Sequence, residues 1–283
     1  MRYVVIVFCA IILLCGTFIN LAWAHLGTEI VVDKLGRVYF VDTIRNQIWR
    51  IDAKKNLLSL ATDKHTANLI IDGEGEIYVI HNGVWKITTD GNLVKIDSSV
   101  KNMKAVGPDG AEYKIDSNQI LKIEPDGKNK ILAGDLKAGS VDGQGENARF
   151  NRPVSLAVDR EGTVLVADYG SRRLRKITPA GEVTTIIRSG WPWMPAGIAT
   201  AQGEIYLLER QGDYRSWTLP VLSTVADLLG NPRVRKISAD GQVTTIVMVA
   251  NGRTRAIVII VFTLLVLLLI AGLRVRKILV KQK

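Results

Sequence analysis

The residues that could perform chemistry are few and widely separated. The three histidines are His25, His65 and His81, and no two of them have the spacing of ligands to one metal ion. Both cysteines, Cys9 and Cys15, lie in an N-terminal apolar run, and no G-x-S-x-G motif occurs. The sequence therefore favours a protein that binds over one that catalyses, and it indicates no cofactor and no metal.

Carboxylates recur at equivalent places and could form a ring of metal or substrate ligands. Each of these positions follows a short apolar segment, and they are occupied by Asp42, Asp116, Asp168, Glu209 and, once, His81. The structural alternative is an Asx-type turn, in which the carboxylate accepts backbone N–H groups. Because a ligand site would be asymmetric, whereas these positions repeat, we favour the structural role.

The segment "DGQGEN" could hold calcium through Asp142, Glu146 and Asn147. Its spacing lacks the regular alternation of oxygen ligands in a dedicated calcium loop. A structural loop pinned by Phe150 is therefore the favoured interpretation.

Three tryptophans are the predicted binding residues, because they lie where the chain departs from its repeating pattern. Trp191 and Trp193 belong to the link "WPWMP", and Trp217 belongs to the insertion "RQGDYRSWTLPVLSTVADLLGNP". Within that insertion, "PVLSTVADLLG" is typical of a short helix, and Gly230 and Pro232 would end it.

The elements that must position these residues are repeated hairpins. "LRKITPAGEVTTI" (174–186) recurs as "VRKISADGQVTTI" (234–246), with eight of thirteen letters identical. Each copy has two β-branched runs joined by a polar link that ends in Gly, a residue that readily adopts the positive φ of a tight turn. The phrase therefore predicts two antiparallel strands.

A second series of strand–turn–strand units precedes the first, and together they predict the fold. Its turn glycines are Gly36, Gly75, Gly110, Gly162 and Gly203, spaced 39, 35, 52 and 41 residues apart. Four short strands in about forty residues are typical of a β-propeller blade. We therefore predict an all-β propeller. Five blades can be counted in the sequence, and six are possible.

One basic residue recurs in the third strand of each predicted blade. These residues are Arg50, Lys86, Lys122, Lys176 and Lys236. They could form a ring that attracts anions, but we favour stems that pack on a neighbouring blade while the charged heads stay in water.

Residues 133–186 resemble an NHL repeat of the variety also seen in teneurin-type propellers. The resemblance rests on "DGxGxxAxFxxP" (Asp142 to Pro153), "AVDxxGxVxVAD" (Ala157 to Asp168) and "RLRKI". Residues 195–247 are similar, whereas residues 27–132 keep only the strand and turn skeleton. The resemblance implies a propeller that often has six blades. It also brings in gluconolactonase-like and lyase relatives with a central metal site, whose histidine pattern this sequence lacks.

The two ends of the chain predict export and a membrane anchor. Residues 3–23 are apolar, and Ala22 and Ala24 suit cleavage of a signal peptide spanning 1–24, although an uncleaved anchor is the alternative. Residues 256–273 are uncharged and would span ~27 Å as a helix. Five basic residues in 274–283 predict a cytoplasmic tail. The propeller (25–250) and its linker (251–255) would then lie outside, in the periplasm or at the cell surface of a bacterium.

The distribution of charge argues against nucleic acid as a partner. The net charge is +10, but residues 25–255 carry 31 Lys+Arg against 27 Asp+Glu. The surplus falls in residues 151–255, with 14 basic against 9 acidic residues. Because this part adjoins the predicted membrane helix, anionic lipid is the better partner.

These observations favour a membrane-anchored, extracytoplasmic binding or scaffolding module, with a protein or glycan ligand at the propeller loops. Two alternatives stay open. One is a propeller hydrolase or lyase with a central metal site, and the other is a sensor ectodomain that signals through a membrane partner.

We expect residues 25–255 to show no hydrolytic or lyase activity, because no nucleophile, metal cluster or acid–base pair is evident. The measurement is turnover of lactone, ester and peptide-amide substrates, with and without a chelator. Turnover that the chelator abolishes would contradict the prediction and favour the metal-dependent alternative.

Overall fold

The computed structural model describes residues 30–42, 45, 47–60, 68–72, 75–80, 83–96, 105–211 and 231–249. The predicted signal peptide, insertion helix and membrane helix lie outside these ranges, as do Trp217 and the three histidines. Among the described residues, no helix is both long and apolar enough to cross a bilayer.

Five antiparallel sheets follow one another along the chain, each with four strands in meander order. Blade 1 contains β1 (Ile30–Val32), β2 (Val38–Asp42), β3 (Gln47–Ile51) and β4 (Leu57–Leu60). Blade 2 contains β5 (Asn68–Ile71), β6 (Ile77–Ile80), β7 (Val84–Ile87) and β8 (Leu93–Ile96). Blade 3 contains β9 (Ala105–Val106), β10 (Glu112–Asp116), β11 (Gln119–Ile123) and β12 (Asn129–Ala133).

The last two blades contain the longest strands. Blade 4 contains β14 (Pro153–Val158), β15 (Val164–Asp168), β16 (Arg173–Ile177) and β17 (Glu182–Arg188), with the short strand β13 (Gly143–Gln144) added at its outer edge. Blade 5 contains β18 (Trp193–Ala201), β19 (Glu204–Gln211), β20 (Arg233–Ile237) and β21 (Val243–Met248). The predicted all-β propeller with five four-stranded blades is confirmed.

The predicted turn glycines lie in the hairpins between the first and second strands. All five have positive φ: Gly36 (73°), Gly75 (82°), Gly110 (76°), Gly162 (77°) and Gly203 (78°). In blade 1 the N–H of Gly36 donates to the Asp33 carbonyl at 2.9 Å, and the Asp33 carboxylate accepts the N–H of Arg37 at 2.9 Å. In blades 1 to 4 the turn thus combines a left-handed glycine with an acid that binds backbone N–H groups.

Blade 5 packs on blade 1 and so joins the last described strands to the first. Phe40 of blade 1 and Leu208 of blade 5 are fully buried in one shared cluster. At the edge of this junction, Arg45 Nη2 donates to Asn231 Oδ1 at 2.8 Å. Two sheets that are distant in sequence therefore bury their apolar faces against each other.

Three further clusters connect the blades in the order 3–4–5–1–2. Each is shared by two sheets: Ile48 with Leu69 between blades 1 and 2, Ile120 with Phe150 between blades 3 and 4, and Leu174 with Leu207 between blades 4 and 5. Within the ranges given above, no buried cluster is shared by blades 2 and 3. Blade 5 thus has both faces covered, one by blade 4 and one by blade 1.

A chain that ends at residue 190 should fail to fold, because it lacks blade 5 and uncovers the facing surfaces of blades 1 and 4. The matched control is the fragment 25–250, which keeps all five blades. Near-ultraviolet circular dichroism and resistance to protease should be present in 25–250 and absent in 25–190. A soluble, cooperatively melting 25–190 would contradict the role of blade 5.

Candidate binding face

One end of the propeller carries corresponding rows of residues in blades 4 and 5. At this end the second and fourth strands of each sheet finish and the first and third begin, and we call it the upper face. Cross-strand pairing gives the row Pro153–Asp168–Arg173–Arg188 in blade 4 and the row Pro195–Glu209–Arg233–Met248 in blade 5. The acids considered as ring ligands thus lie beside arginines in both blades.

Arg175 holds the buried carboxylate of blade 4. Its side chain is fully buried, and Nη1 donates to Asp168 Oδ2 at 3.0 Å. Its Nε and Nη2 donate to Asp142 Oδ1 at 3.1 and 2.6 Å, and the remaining N–H groups donate to the carbonyls of Arg149 and Val141. Since a guanidinium has five N–H donors, all of them are used.

Asp142 is a structural residue of the "DGQGEN" loop. It accepts hydrogen bonds from Arg175 and from the N–H and hydroxyl of Thr185, at 3.2 and 3.0 Å. Burial works against ionisation, but the Thr185 hydrogen bonds and the Arg175 charge outweigh it and lower the pKa of Asp142. Phe150 is buried in the cluster between blades 3 and 4, and its ring lies 5.1 Å below the Arg175 guanidinium. The favoured interpretation as a loop pinned by Phe150 agrees with this geometry.

Glu209 takes the place of Asp168 in blade 5 and also binds arginines. It is fully buried, and it accepts hydrogen bonds from Arg233 Nε at 2.6 Å and Arg235 Nη2 at 2.9 Å. The hydroxyl of Ser189, at the end of blade 4, donates to it as well. Glu209 therefore joins two blades.

The other two recurring acids differ from each other. Asp42 accepts the backbone N–H of Arg45 at 3.2 Å and its Nη1 at 2.5 Å, so it combines the predicted Asx-type turn with an ion pair. Asp116 is exposed and is within 3.5 Å of the Ser117 hydroxyl. The predicted acceptance of backbone N–H groups describes Asp42 and also Asp168, whose Oδ1 accepts the N–H of Asn151 at 2.7 Å beside the one hydrogen bond from Arg175. It does not describe Glu209, which is bound by the side chains of Arg233, Arg235 and Ser189.

Three of the five recurring bases form ion pairs inside their own blades. The pairs are Lys86–Glu76 (3.1 Å), Lys122–Asp109 (2.6 Å) and Lys236–Glu204 (2.6 Å). Arg50 reaches blade 2, where its Nη1 donates to the Thr89 carbonyl at 3.3 Å, and Lys176 is exposed. The acids of the hairpin turns lie across the sheet from these three bases, which explains the pairing and argues against the alternative of a ring that attracts anions.

Arg210 connects three blades near the same end. It is buried, and its Nη2 donates to the Val41 carbonyl of blade 1 at 3.4 Å. Burial lowers the pKa of Arg210, while the charge of Asp42 and the nearby Tyr169 of blade 4 oppose that change. This buried cation was not among the residues predicted from the sequence.

The structure brings two of the three predicted tryptophans to the upper face, between blades 4 and 5. Trp191 is 68% exposed and precedes the cis peptide bond to Pro192. Trp193 begins β18 and is partly buried, with the Arg233 guanidinium 4.1 Å above its ring. Arg233 is also bound to Glu209, so two residues after Trp191 the chain carries a fixed stack of a ring and a guanidinium.

The upper face of blade 4 also carries a group of arginines that we did not single out from the sequence. Arg152, Arg172 and Arg188 are exposed, and Arg173 is partly buried. The Arg152 guanidinium lies 4.9 Å from the centre of the Tyr169 ring, and the Ser189 N–H donates to the Arg172 carbonyl at 2.8 Å. Amino-acid composition could have indicated this group in the sequence, because 12 of the 14 basic residues in 151–255 are Arg, against 4 of 17 in 25–150.

Residues 150–177 match the family described as NHL repeat. The match begins at Phe150 and ends with the last residue of β16, so it falls inside blade 4. The described residues thus form a β-propeller of five blades with an NHL repeat match in the fourth, which agrees with the resemblance to NHL propellers, although six blades are common among those.

Solved structures are similar to this chain at low identity. A structural genomics protein of unknown function from Bacteroides thetaiotaomicron is 15% identical, with a TM-score of 0.53 over 63% of this chain and 65% of that chain. An auxiliary nutrient binding protein from Bacteroides ovatus is 21% identical, with a TM-score of 0.36 over 64% and 56%. Virginiamycin B lyase from Staphylococcus aureus is 17% identical, with a TM-score of 0.35 over 77% and 82%. The chain spans less than two thirds of the first two, and no curated protein matches it.

Replacing Arg175 by Met should destabilise the propeller by about 3–5 kcal/mol, because Asp168 would stay buried without its cation. Urea unfolding provides the measurement, and Lys176→Met, at the exposed neighbouring position, is the matched control. Adding Asp168→Asn to Arg175→Met should recover part of the loss. If Arg175→Met unfolds at the same urea concentration as Lys176→Met, the buried pair has no structural role.

Proposed function

We propose that this chain is a membrane-anchored, extracytoplasmic binding module that acts through the upper face of blades 4 and 5 and performs no chemistry of its own. The observation that carries the proposal is Trp191, a large aromatic side chain that is 68% exposed beside the fixed Trp193–Arg233 stack. Aromatic side chains on a rigid base supply contact area at a small entropic cost and are enriched at binding sites.

The chain leaves blade 5 at the upper face, and this supports the proposal that the upper face lies next to the bilayer. Strand β21 finishes at the upper end, where the Val249 N–H donates to the Pro232 carbonyl at 3.0 Å. Residues 250–255 then separate it from the apolar segment 256–273, a reach of ~20 Å at full extension. Tryptophan favours the headgroup zone of a membrane, so Trp191 would lie at a suitable depth.

The engagement of the carboxylates supports binding over catalysis. Asp168 and Glu209 are fully buried and each is held by arginine, so neither is poised to abstract a proton or to coordinate a metal ion. Their role is to hold the upper ends of the strands.

Trp191→Ala should weaken the binding of the fragment 25–250 to anionic vesicles by several-fold and leave its melting temperature unchanged, because the side chain is mostly exposed. Sedimentation with vesicles of phosphatidylglycerol and phosphatidylcholine gives the measurement. Leu35→Ala is the matched control, since Leu35 is 64% exposed in the hairpin turn at the opposite end of blade 1.

Two results would count against membrane apposition. The first is that the fragment 25–250 does not bind the anionic vesicles. The second is a combined change of Trp191, Trp193 and Trp217 to Ala that melts the propeller, since the tryptophans would then be structural. Retained vesicle binding in the combined variant would also exclude these residues as the contact.

A further inference from the structure

Two arginines face each other across the upper end of blade 4. Arg173 begins β16, Arg188 ends β17, and the two are directly paired in the antiparallel ladder. Side chains at directly opposed positions lie on the same face of the sheet with Cβ atoms about 5 Å apart, and like charges there are destabilising. An anion bound between them would relieve this repulsion.

The carboxylates in the neighbourhood are engaged elsewhere. Asp142 and Asp168 act on Arg173 at a distance, but both are bound directly by Arg175. Arg173 Nη1 donates to the Ser140 carbonyl at 2.8 Å and contacts the Ser140 hydroxyl. Arg188 is exposed and makes no ion pair within the described part of the chain. Burial and the positive charges of Arg188 and Arg175 together lower the pKa of Arg173.

Blade 5 shows that the blade does not require this pair. Its residue equivalent to Arg173 is Arg233, which is bound to Glu209 and stacks on Trp193. Its residue equivalent to Arg188 is Met248, so the fourth strand ends without a charge. The second arginine is therefore a local feature of blade 4, and the strand geometry alone does not explain it.

We propose that Arg173 and Arg188, with the adjacent exposed Arg172, bind the phosphate group of an anionic phospholipid. Guanidinium groups are planar and bind phosphate oxygens through pairs of N–H donors. The phosphate would neutralise the cross-strand repulsion, and Trp191 on the same face would enter the headgroup zone beside it. The lipid as the source of the phosphate rests on the proposed function, whereas the anion site itself rests on the paired arginines.

The test uses the full chain in neutral detergent and short-chain dihexanoyl lipids as probes, with binding measured by calorimetry. Dihexanoyl-phosphatidylglycerol should bind, and the affinity should fall as salt is raised, because the contact is partly exposed. Dihexanoyl-phosphatidylcholine should bind much more weakly, since its headgroup has no net charge. Equal binding of the two lipids would overturn an anion site.

Three variants locate the site. Arg188→Gln should weaken phosphatidylglycerol binding by about tenfold through the loss of a charge-assisted contact. Arg188→Glu should abolish binding while keeping the melting temperature, because it places an acid opposite Arg173 and turns repulsion into attraction. Arg160→Gln is the matched control, since Arg160 is exposed in the turn at the opposite end of blade 4. If Arg188→Glu melts normally and still binds the lipid as the parent does, the site is wrong.

Two further results separate this inference from the proposed function. If free glycerol phosphate binds as tightly as the lipid and depends equally on Arg188, the source is a soluble phosphate ester, and the lipid assignment is overturned. If the Arg188 variants bind the lipid as the parent does while Trp191→Ala still weakens vesicle binding, the arginine site is wrong. The proposed position of the upper face next to the membrane is then retained.

Discussion

A propeller blade has two apolar faces and cannot bury either of them alone. The fold therefore depends on contacts between sheets, and the described blades meet through four buried clusters in the order 3–4–5–1–2. The junction of blades 5 and 1 matters most, because it joins the two ends of the described fold. Blade 5 therefore joins the two ends of the described fold. Its first strand, β18, also begins with Trp193.

Buried charges hold the upper ends of the strands once the faces are packed. A buried ion pair adds little net stability compared with an apolar pair, but removing one partner is costly, so such pairs fix one arrangement. Arg175 binds Asp142 and Asp168, and Glu209 binds Arg233 and Arg235. These contacts tie the third strand of each blade to its second strand.

The same face combines arginines that are bound to a carboxylate with arginines that are not, and the proposed binding site rests on this contrast. Arg175 and Arg233 have carboxylate partners, whereas Arg173 and Arg188 face each other. Guanidinium groups are weakly hydrated and suit contacts with phosphate and with aromatic rings. An exposed tryptophan beside such a group is the composition expected at the surface of an anionic membrane.

The sequence by itself determined the strands, the hairpins and the propeller, because these follow from local patterns. Gly36 and Gly162 mark turns through their own backbone freedom, and alternating β-branched residues mark the strands on either side. It also determined that positive charge gathers in residues 151–255. Only the tertiary structure decided what each arginine does. Arg173 and Arg175 are two residues apart and chemically identical, yet Arg173 lies at the end of its strand and is partly buried, whereas Arg175 is fully buried. The ladder shifts register between Leu174 and Arg175, and again between Val234 and Arg235. The partner of a long side chain therefore depends on cross-strand register and on the neighbouring blade, and both are set by packing between residues that are distant in sequence.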